Sequence, residues 1–148
     1  VDLSLIDDAY KAGKVVVFFA AGKNSRYNEE GKLRDLRWRT SYLDYSQKYK
    51  TPINILMIDG KNTPLFYKIS KFRNRFKQLK NVPLENMVQL RELMKPVPPI
   101  NMYFSTSIHL DHDKKYKRRE LRKIVNNMYS FLYEMDEDHL SFDEALLE

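Results

Sequence analysis

The chain has 148 residues, with 26 lysines and arginines against 20 acidic residues, a formal net charge of +6 and no cysteine. With 43% apolar and 13% aromatic residues it is neither a disordered tail nor a fibre, and its length suits one domain. The missing cysteines exclude a disulfide scaffold, a thiol nucleophile and a cysteine-ligated zinc site. The positive charge favours anionic partners, namely nucleic acid, acidic membrane surfaces or phosphorylated small molecules.

The start of the chain predicts a helix over residues 2–12. This helix begins at once, and Val1 stands where an initiator methionine would be expected. We therefore expect a fragment of a longer protein. It should form a single domain over residues 1–148, with a C-terminal helix and tail over residues 111–148.

Residues 15–19 (VVVFF) form an uninterrupted β-branched and aromatic run, which is typical of a strand buried on both faces of a parallel sheet. Periodic apolar positions then predict a helix over residues 33–49. It must stop before Pro52, because the residue before proline disfavours helical backbone. Residues 53–58 (INILMI) predict a second strand, followed by a loop at residues 59–64 of the kind that holds the sites of α/β proteins.

Downstream, the pattern predicts helices over residues 65–79 and 84–95, a more exposed strand over residues 100–108, and a final helix over residues 114–135. The order of helices and strands predicts an α/β fold, with a mostly parallel sheet flanked by helices. We expect two helices to bury an apolar face. The helix over residues 65–79 should bury Leu65, Ile69, Phe72, Phe76 and Leu79. The final helix should bury Leu121, Ile124, Val125, Met128, Phe131 and Leu132.

The strongest candidate site follows the first predicted strand. Phe19 leads into Gly22, whose missing side chain would let a ligand approach the backbone, and Arg26 can hold a phosphate with a bidentate fork. The predicted substrate-binding residues are Phe19, Gly22, Lys23, Ser25 and Arg26. A solvated turn between a strand and the next element is the alternative interpretation.

Three blocks of the sequence resemble the glycerol-phosphate and lysophospholipid acyltransferase superfamily. The first is residues 19–26 (FAAGKNSR), similar to a Phe-Pro-Ala-Gly strand end followed by Ser-Arg, with Ala20 in place of the proline. The second is residues 31–38 (GKLRDLRW). The third is residues 52–67, where a Pro-Ile strand is followed by Gly-Lys-Asn and Leu-Phe-Tyr.

The resemblance implies the C-terminal portion of an acyltransferase-like domain, from a bacterial enzyme that transfers a fatty acyl group from acyl-CoA or acyl carrier protein. The acceptor would be a lysophospholipid or a similar hydroxyl compound, and the resemblance implies no cofactor besides the acyl donor. The family's general base belongs to a His-x4-Asp motif. Five positions after His109, His112 and His139 stand Lys114, Lys117 and Glu144, so no histidine here completes it. We therefore expect no catalytic residue in this chain and a partner in an N-terminal catalytic segment of the same protein.

The segment over residues 109–113 (HLDHD) offers four groups that could ligate a metal. Closed metal sites normally recruit ligands from separate segments, so no metal is predicted. A polar connection is favoured, with Asp111 or Asp113 near the N-cap of the final helix.

Two basic segments, residues 68–80 and 114–123, supply the positive charge. They are either solvated helix faces or contacts with the anionic inner face of the cytoplasmic membrane, which would make the protein cytoplasmic and peripheral. Phe72 and Phe76 are expected inside the apolar stripe, so no nucleic acid is expected as a partner. The alternative to an acyltransferase is a non-catalytic basic α/β module that binds anionic ligands or nucleic acid.

Overall fold

The fold is taken from a computed structural model, which describes residues 3–76, 78, 82, 84–94, 96 and 99–147. Its elements are, in chain order, α1 (Leu3–Lys11), β1 (Arg26–Tyr27), β2 (Leu33–Arg34), α2 (Ser41–Tyr49), β3 (Leu56–Asp59), α3 (Pro64–Arg75), α4 (Leu84–Leu93), β4 (Asn101–Phe104), α5 (Arg118–Leu132) and a short 3₁₀ helix (Glu144–Leu147).

The chain divides into two compact units. The first comprises Val1–Ser25, Asp35–Met57 and Tyr103–Glu148, and the second comprises Arg26–Arg34 and Ile58–Met102. We describe them separately.

The predicted α/β fold with a mostly parallel sheet is wrong. The described residues contain five α-helices and two small antiparallel sheets of two strands each, one pairing β1 with β2 and the other pairing β3 with β4. Ile53 and Ile108 also form an isolated antiparallel bridge. Hydrophobic runs of this length identify an extended, partly buried segment, but they do not reveal which segment it pairs with or in which direction.

Residues 15–19 illustrate the error most clearly. They belong to no described strand, and their side chains alternate, with Val15, Val17 and Phe19 exposed and Phe18 packed against the core. A strand buried on both faces would hide all five. The run therefore has only one buried face.

Local signals placed the helices well. Pro64 lies in the first turn of α3, where a missing N–H costs nothing, and the Thr63 side chain accepts a hydrogen bond from the backbone N–H of Phe66. At the end of α2, Lys50 has φ of 54° and closes the helix in the left-handed conformation before Pro52. The predicted start of α2 at residue 33 is wrong, because Leu33–Arg34 is β2 and the helix begins at Ser41.

The core of the first unit is built on α5. The predicted inner face is confirmed, since Ile124, Val125, Met128 and Phe131 are almost fully buried. The cluster also contains Tyr42, Leu43, Ile55, Ile108, Leu110, Leu132, Met135, Phe142 and Leu147.

The second unit has a much smaller core around α3 and α4. It consists of Phe66, Tyr67 and Val88, with Leu33 and Ile69 packed against them. The predicted buried stripe of α3 is wrong, because Leu65, Phe72 and Phe76 are exposed. The buried face is displaced around the helix to Phe66, Tyr67 and Ser70, and the predicted Leu79 and the end of that helix lie outside the described residues.

Candidate functional site

The loop after residues 15–19 is a tight turn. The N–H of Gly22 donates to the carbonyl of Phe19 at 2.9 Å, and Gly22 has φ of +64°, a conformation that favours glycine. A Cβ added there would meet nothing within 4 Å, so glycine is needed for the turn itself rather than for close packing. Phe19 and Lys23 are exposed beside it.

Ser25 belongs to a hydrogen-bonded group in the first unit. Its hydroxyl donates to Asp35 Oδ1 at 2.5 Å, and the other carboxylate oxygen accepts from Trp38 Nε1 at 3.0 Å. The backbone of Asp35 is held as well, because its carbonyl accepts from the Tyr129 hydroxyl at 2.8 Å and its N–H donates to the Tyr133 hydroxyl. Ser25 therefore helps to attach the segment around Asp35 to α5.

Arg26 begins the second unit and forms part of an ion cluster. Its Nη2 and that of Arg73 both approach Oε1 of Glu85, at 3.4 and 3.0 Å. The guanidinium of Arg26 also lies over the Phe66 ring at 4.9 Å. Glu85 is 3% exposed, so two arginines share one carboxylate in a mostly buried place.

The ion cluster carries one excess positive charge. Burial lowers the pKa of Arg26, the nearby Glu85 opposes that effect, and Arg73 adds to it. In the described part of the chain, the buried Nε of Arg73 and hydroxyl of Ser70 have no hydrogen-bond partner. Buried polar groups without a hydrogen-bond partner lower the stability of the fold. The interior of the second unit is therefore not optimised for stability.

The structure thus assigns Ser25 and Arg26 to contacts within different units, while Phe19, Gly22 and Lys23 form an open turn. Binding of a substrate phosphate by these five residues stays a prediction.

The basic residues of α3 were expected on its surface, but the exposure of its aromatic residues was not. Lys68, Lys71 and Arg75 are exposed on it together with Phe72 and Phe76, whose rings lie 4.7 Å apart. Spacings of three and four residues place these five side chains on one side of the helix. The apolar pattern gave no signal for the buried face, since that face also contains Ser70 and Arg73.

A second missed surface lies on α4. Met87, Leu90, Leu93 and Met94 recur at helical spacing and are between 67% and 85% exposed. The opposite side of α4 faces α3, where Glu85 and Val88 are buried and Glu92 accepts a hydrogen bond from Thr63. An apolar stripe that faces outward along a whole helix is uncommon for a water-exposed surface.

The basic segment before and within α5 belongs to the first unit. Lys115, Lys117, Arg118, Arg119 and Lys123 are exposed, and none of them forms an ion pair within the described residues. This face is basic but lacks exposed apolar neighbours on α5, whose apolar residues point into the core.

The segment over residues 109–113 forms a turn. Asp111 Oδ1 accepts from the backbone N–H groups of Asp113 and Lys114, while Lys117 is the N-cap of α5 and donates its N–H to Glu120. Asp111 and Asp113, expected near the N-cap of the final helix, precede it by several residues and shape the turn instead. Within the ranges that the structure describes, no group of three or more metal-ligating side chains is close enough to hold an ion.

Among the helices of the described residues, none is long and apolar enough to cross a bilayer. Comparison with known proteins found no matching family, no matching curated protein and no matching solved structure.

Proposed function

We propose that the protein binds anionic membrane surfaces peripherally through α3 and α4 of the second unit. The observation that carries the proposal is the outward stripe of α4, comprising Met87, Leu90, Leu93 and Met94. Large aliphatic side chains at such exposure lose contact with water when they enter the boundary between headgroups and acyl chains. Each fully buried side chain contributes about 1.5–3 kcal/mol.

The charges on α3 complement such a surface. Lys68, Lys71 and Arg75 are exposed beside Phe72 and Phe76, which is the composition of helices that lie in a membrane interface. Each basic residue near an anionic surface contributes roughly 1 kcal/mol. Both surfaces belong to the second unit, but the α3 surface faces away from α4 and the α4 stripe faces away from α3. The α4 stripe therefore supplies the apolar insertion, and the charge of α3 attracts the unit to the anionic surface at longer range. Attachment to the inner face of the cytoplasmic membrane is part of the same proposal.

Nucleic acid is the second candidate partner. It was not expected while Phe72 and Phe76 were placed in the core, but exposed aromatics among basic residues are what single-stranded nucleic acids stack on. The aliphatic stripe of α4 favours the membrane, because methionine and leucine side chains offer neither stacking nor hydrogen bonds to bases.

A contribution to phospholipid acyl transfer, with a lysophospholipid-type acceptor and a catalytic segment on a partner, remains a prediction from the sequence. Membrane attachment would bring the chain to such acceptors, but the membrane proposal does not depend on that reaction.

Flotation of the protein with liposomes tests the proposal. We expect binding to vesicles with about 30% anionic lipid, little binding to neutral ones, and a fall in binding between ~50 and ~500 mM salt as the Debye length shrinks. Leu90→Gln with Leu93→Gln should weaken binding by about tenfold or more. The matched control is Leu3→Gln with Leu5→Gln, which changes two similarly exposed leucines on α1.

Two triple variants distinguish the effect of the basic residues on α3 from the effect of the net charge of the whole chain. Replacing Lys68, Lys71 and Arg75 with glutamine should weaken binding at least tenfold. The same change at Lys115, Lys117 and Lys123 removes as much charge from the other unit and should have a smaller effect. Equal losses in both triple variants, or unchanged binding after the leucine substitutions, would refute the proposal. Tighter binding of an oligonucleotide than of vesicles would favour nucleic acid instead.

A further inference from the structure

Residues 15–18 belong to none of the described strands, and their main chain lacks partners in the described structure. Lys14 N–H donates to Ala9 at 3.0 Å on one side, and Gly22 N–H donates to Phe19 at 2.9 Å on the other. Between them, no N–H or carbonyl of residues 15–18 forms a hydrogen bond with another described residue. Main-chain polar groups in folded proteins are nearly always paired, with protein or with water.

The side chains of this segment also alternate as they do in a strand. Phe18 packs against Tyr42 and Tyr45, with ring centroids 6.4 and 5.9 Å apart. On the other side Val15 is 93%, Val17 65% and Phe19 82% exposed. Valine and phenylalanine favour strands, and the run contains no charge, proline or glycine to discourage pairing at an open edge.

We propose that residues 15–19 of two copies of this chain pair as antiparallel strands and form a weak symmetric dimer. With Val17 on the twofold axis, Val15 of each copy lies beside Phe19 of the other on one face of the pair. The pairing supplies partners for the main chain, and side-by-side contact covers part of the apolar side chains. A lipid surface would only cover the side chains.

The size and charge of the patch determine the strength of the dimer. Three exposed side chains can bury on the order of 400 Å² per copy, about half of a standard stable interface, so we expect dissociation in the micromolar range or weaker. Lys14 and Lys23 flank the strand, and each copy carries a net charge of +6. Like charges therefore oppose the pairing, and added salt should strengthen it. Membrane binding has the opposite salt dependence.

Sedimentation velocity over a concentration series, without lipid, tests this inference. We expect the average mass to rise from monomer towards dimer with concentration, and to rise further at higher salt. Hydrogen exchange of residues 15–19 should slow in parallel. Val17→Lys places two ammonium groups opposite each other and should raise the dissociation constant at least tenfold.

Leu5→Lys is the matched control, because Leu5 is 67% exposed, much like Val17, and adds the same charge on α1. It should leave the dimer almost intact. A protein that stays monomeric up to about millimolar concentration, or a Val17→Lys variant that associates as well as Leu5→Lys, would overturn the proposal. Larger open-ended aggregates that both variants still form would also overturn it. None of these results depends on whether liposomes are bound.

Discussion

The first unit buries thirteen apolar side chains in one cluster, whereas the second buries only Phe66, Tyr67 and Val88 among its described residues. In the second unit the arginine and glutamate cluster occupies interior space, while leucines and methionines of α4 face outward. The comparison shows that the two units differ in how many of their apolar side chains are buried. Many described apolar side chains of the first unit form a large buried cluster, whereas the second unit buries few and exposes the stripe of α4.

The largest expected effect is the loss of a core side chain of the first unit. Phe131 is 4% exposed and packs edge-on against Phe142 at 5.2 Å. Phe131→Ala should reduce the free energy of unfolding by about 3–5 kcal/mol, because it leaves a cavity. Phe72→Ala, at an exposed phenylalanine of the second unit, should cost much less. Chemical denaturation of both variants checks this difference, and similar losses would contradict the contrast in burial between the two units.

The next effect concerns the ion cluster of the second unit. Glu85→Ala leaves the guanidinium groups of Arg26 and Arg73 facing each other without a carboxylate, which should cost about 3 kcal/mol. Hydrogen exchange should show the loss as faster exchange of α3 and α4 rather than of α5. Replacing all three residues at once, with Arg26→Met, Glu85→Leu and Arg73→Met, should recover most of the stability. If the triple variant were less stable than Glu85→Ala, the cluster would be a net stabilising element.

The smallest effect is a pH dependence in the first unit. Lys48 and Tyr49 donate to the carboxylate of Asp7 at 2.7 and 2.5 Å, and these bonds hold the pKa of Asp7 below its ordinary value. Because the folded-state pKa is lowered, this contribution is present above the ordinary aspartate range and is lost as the pH falls through the folded-state pKa. Asp7→Asn should therefore lower Tm slightly near neutral pH. The difference should shrink as the pH falls through the folded-state pKa of Asp7. A difference that does not shrink on acidification would mean that the charge of Asp7 is not its source.

Much of the helical structure could be predicted because its signals are local. Pro64 after Thr63 marks the start of α3, Pro52 limits α2, and the regular apolar spacing of α5 identifies both the helix and its buried face. The face of α3 could not be identified in this way. The apolar stripe of its sequence runs through Phe72, whereas the buried face runs through Phe66, and only packing against α4 and the β1–β2 region decides this.

The candidate site shows the same limit. The glycine turn at Gly22 and the basic residues of α3 could be recognised in the sequence, because turn chemistry and charge depend on residue type alone. Arg26 and Glu85 are 59 positions apart in the sequence, so no local sequence pattern predicts their contact. Likewise, the resemblance of residues 19–26 to an acyltransferase motif could not reveal that Ser25 and Arg26 take part in different units.

The sequence by itself determined the basic charge, the absence of cysteine and the end of α2 before Pro52. Only the tertiary structure decided that the segment over residues 15–19 has one face without a partner, that the sheets are antiparallel, and that α4 turns its leucines outward. The reason is physical. Backbone preferences act between neighbours along the chain, whereas burial and strand pairing depend on which distant segments meet, and several arrangements satisfy the same hydrophobic pattern.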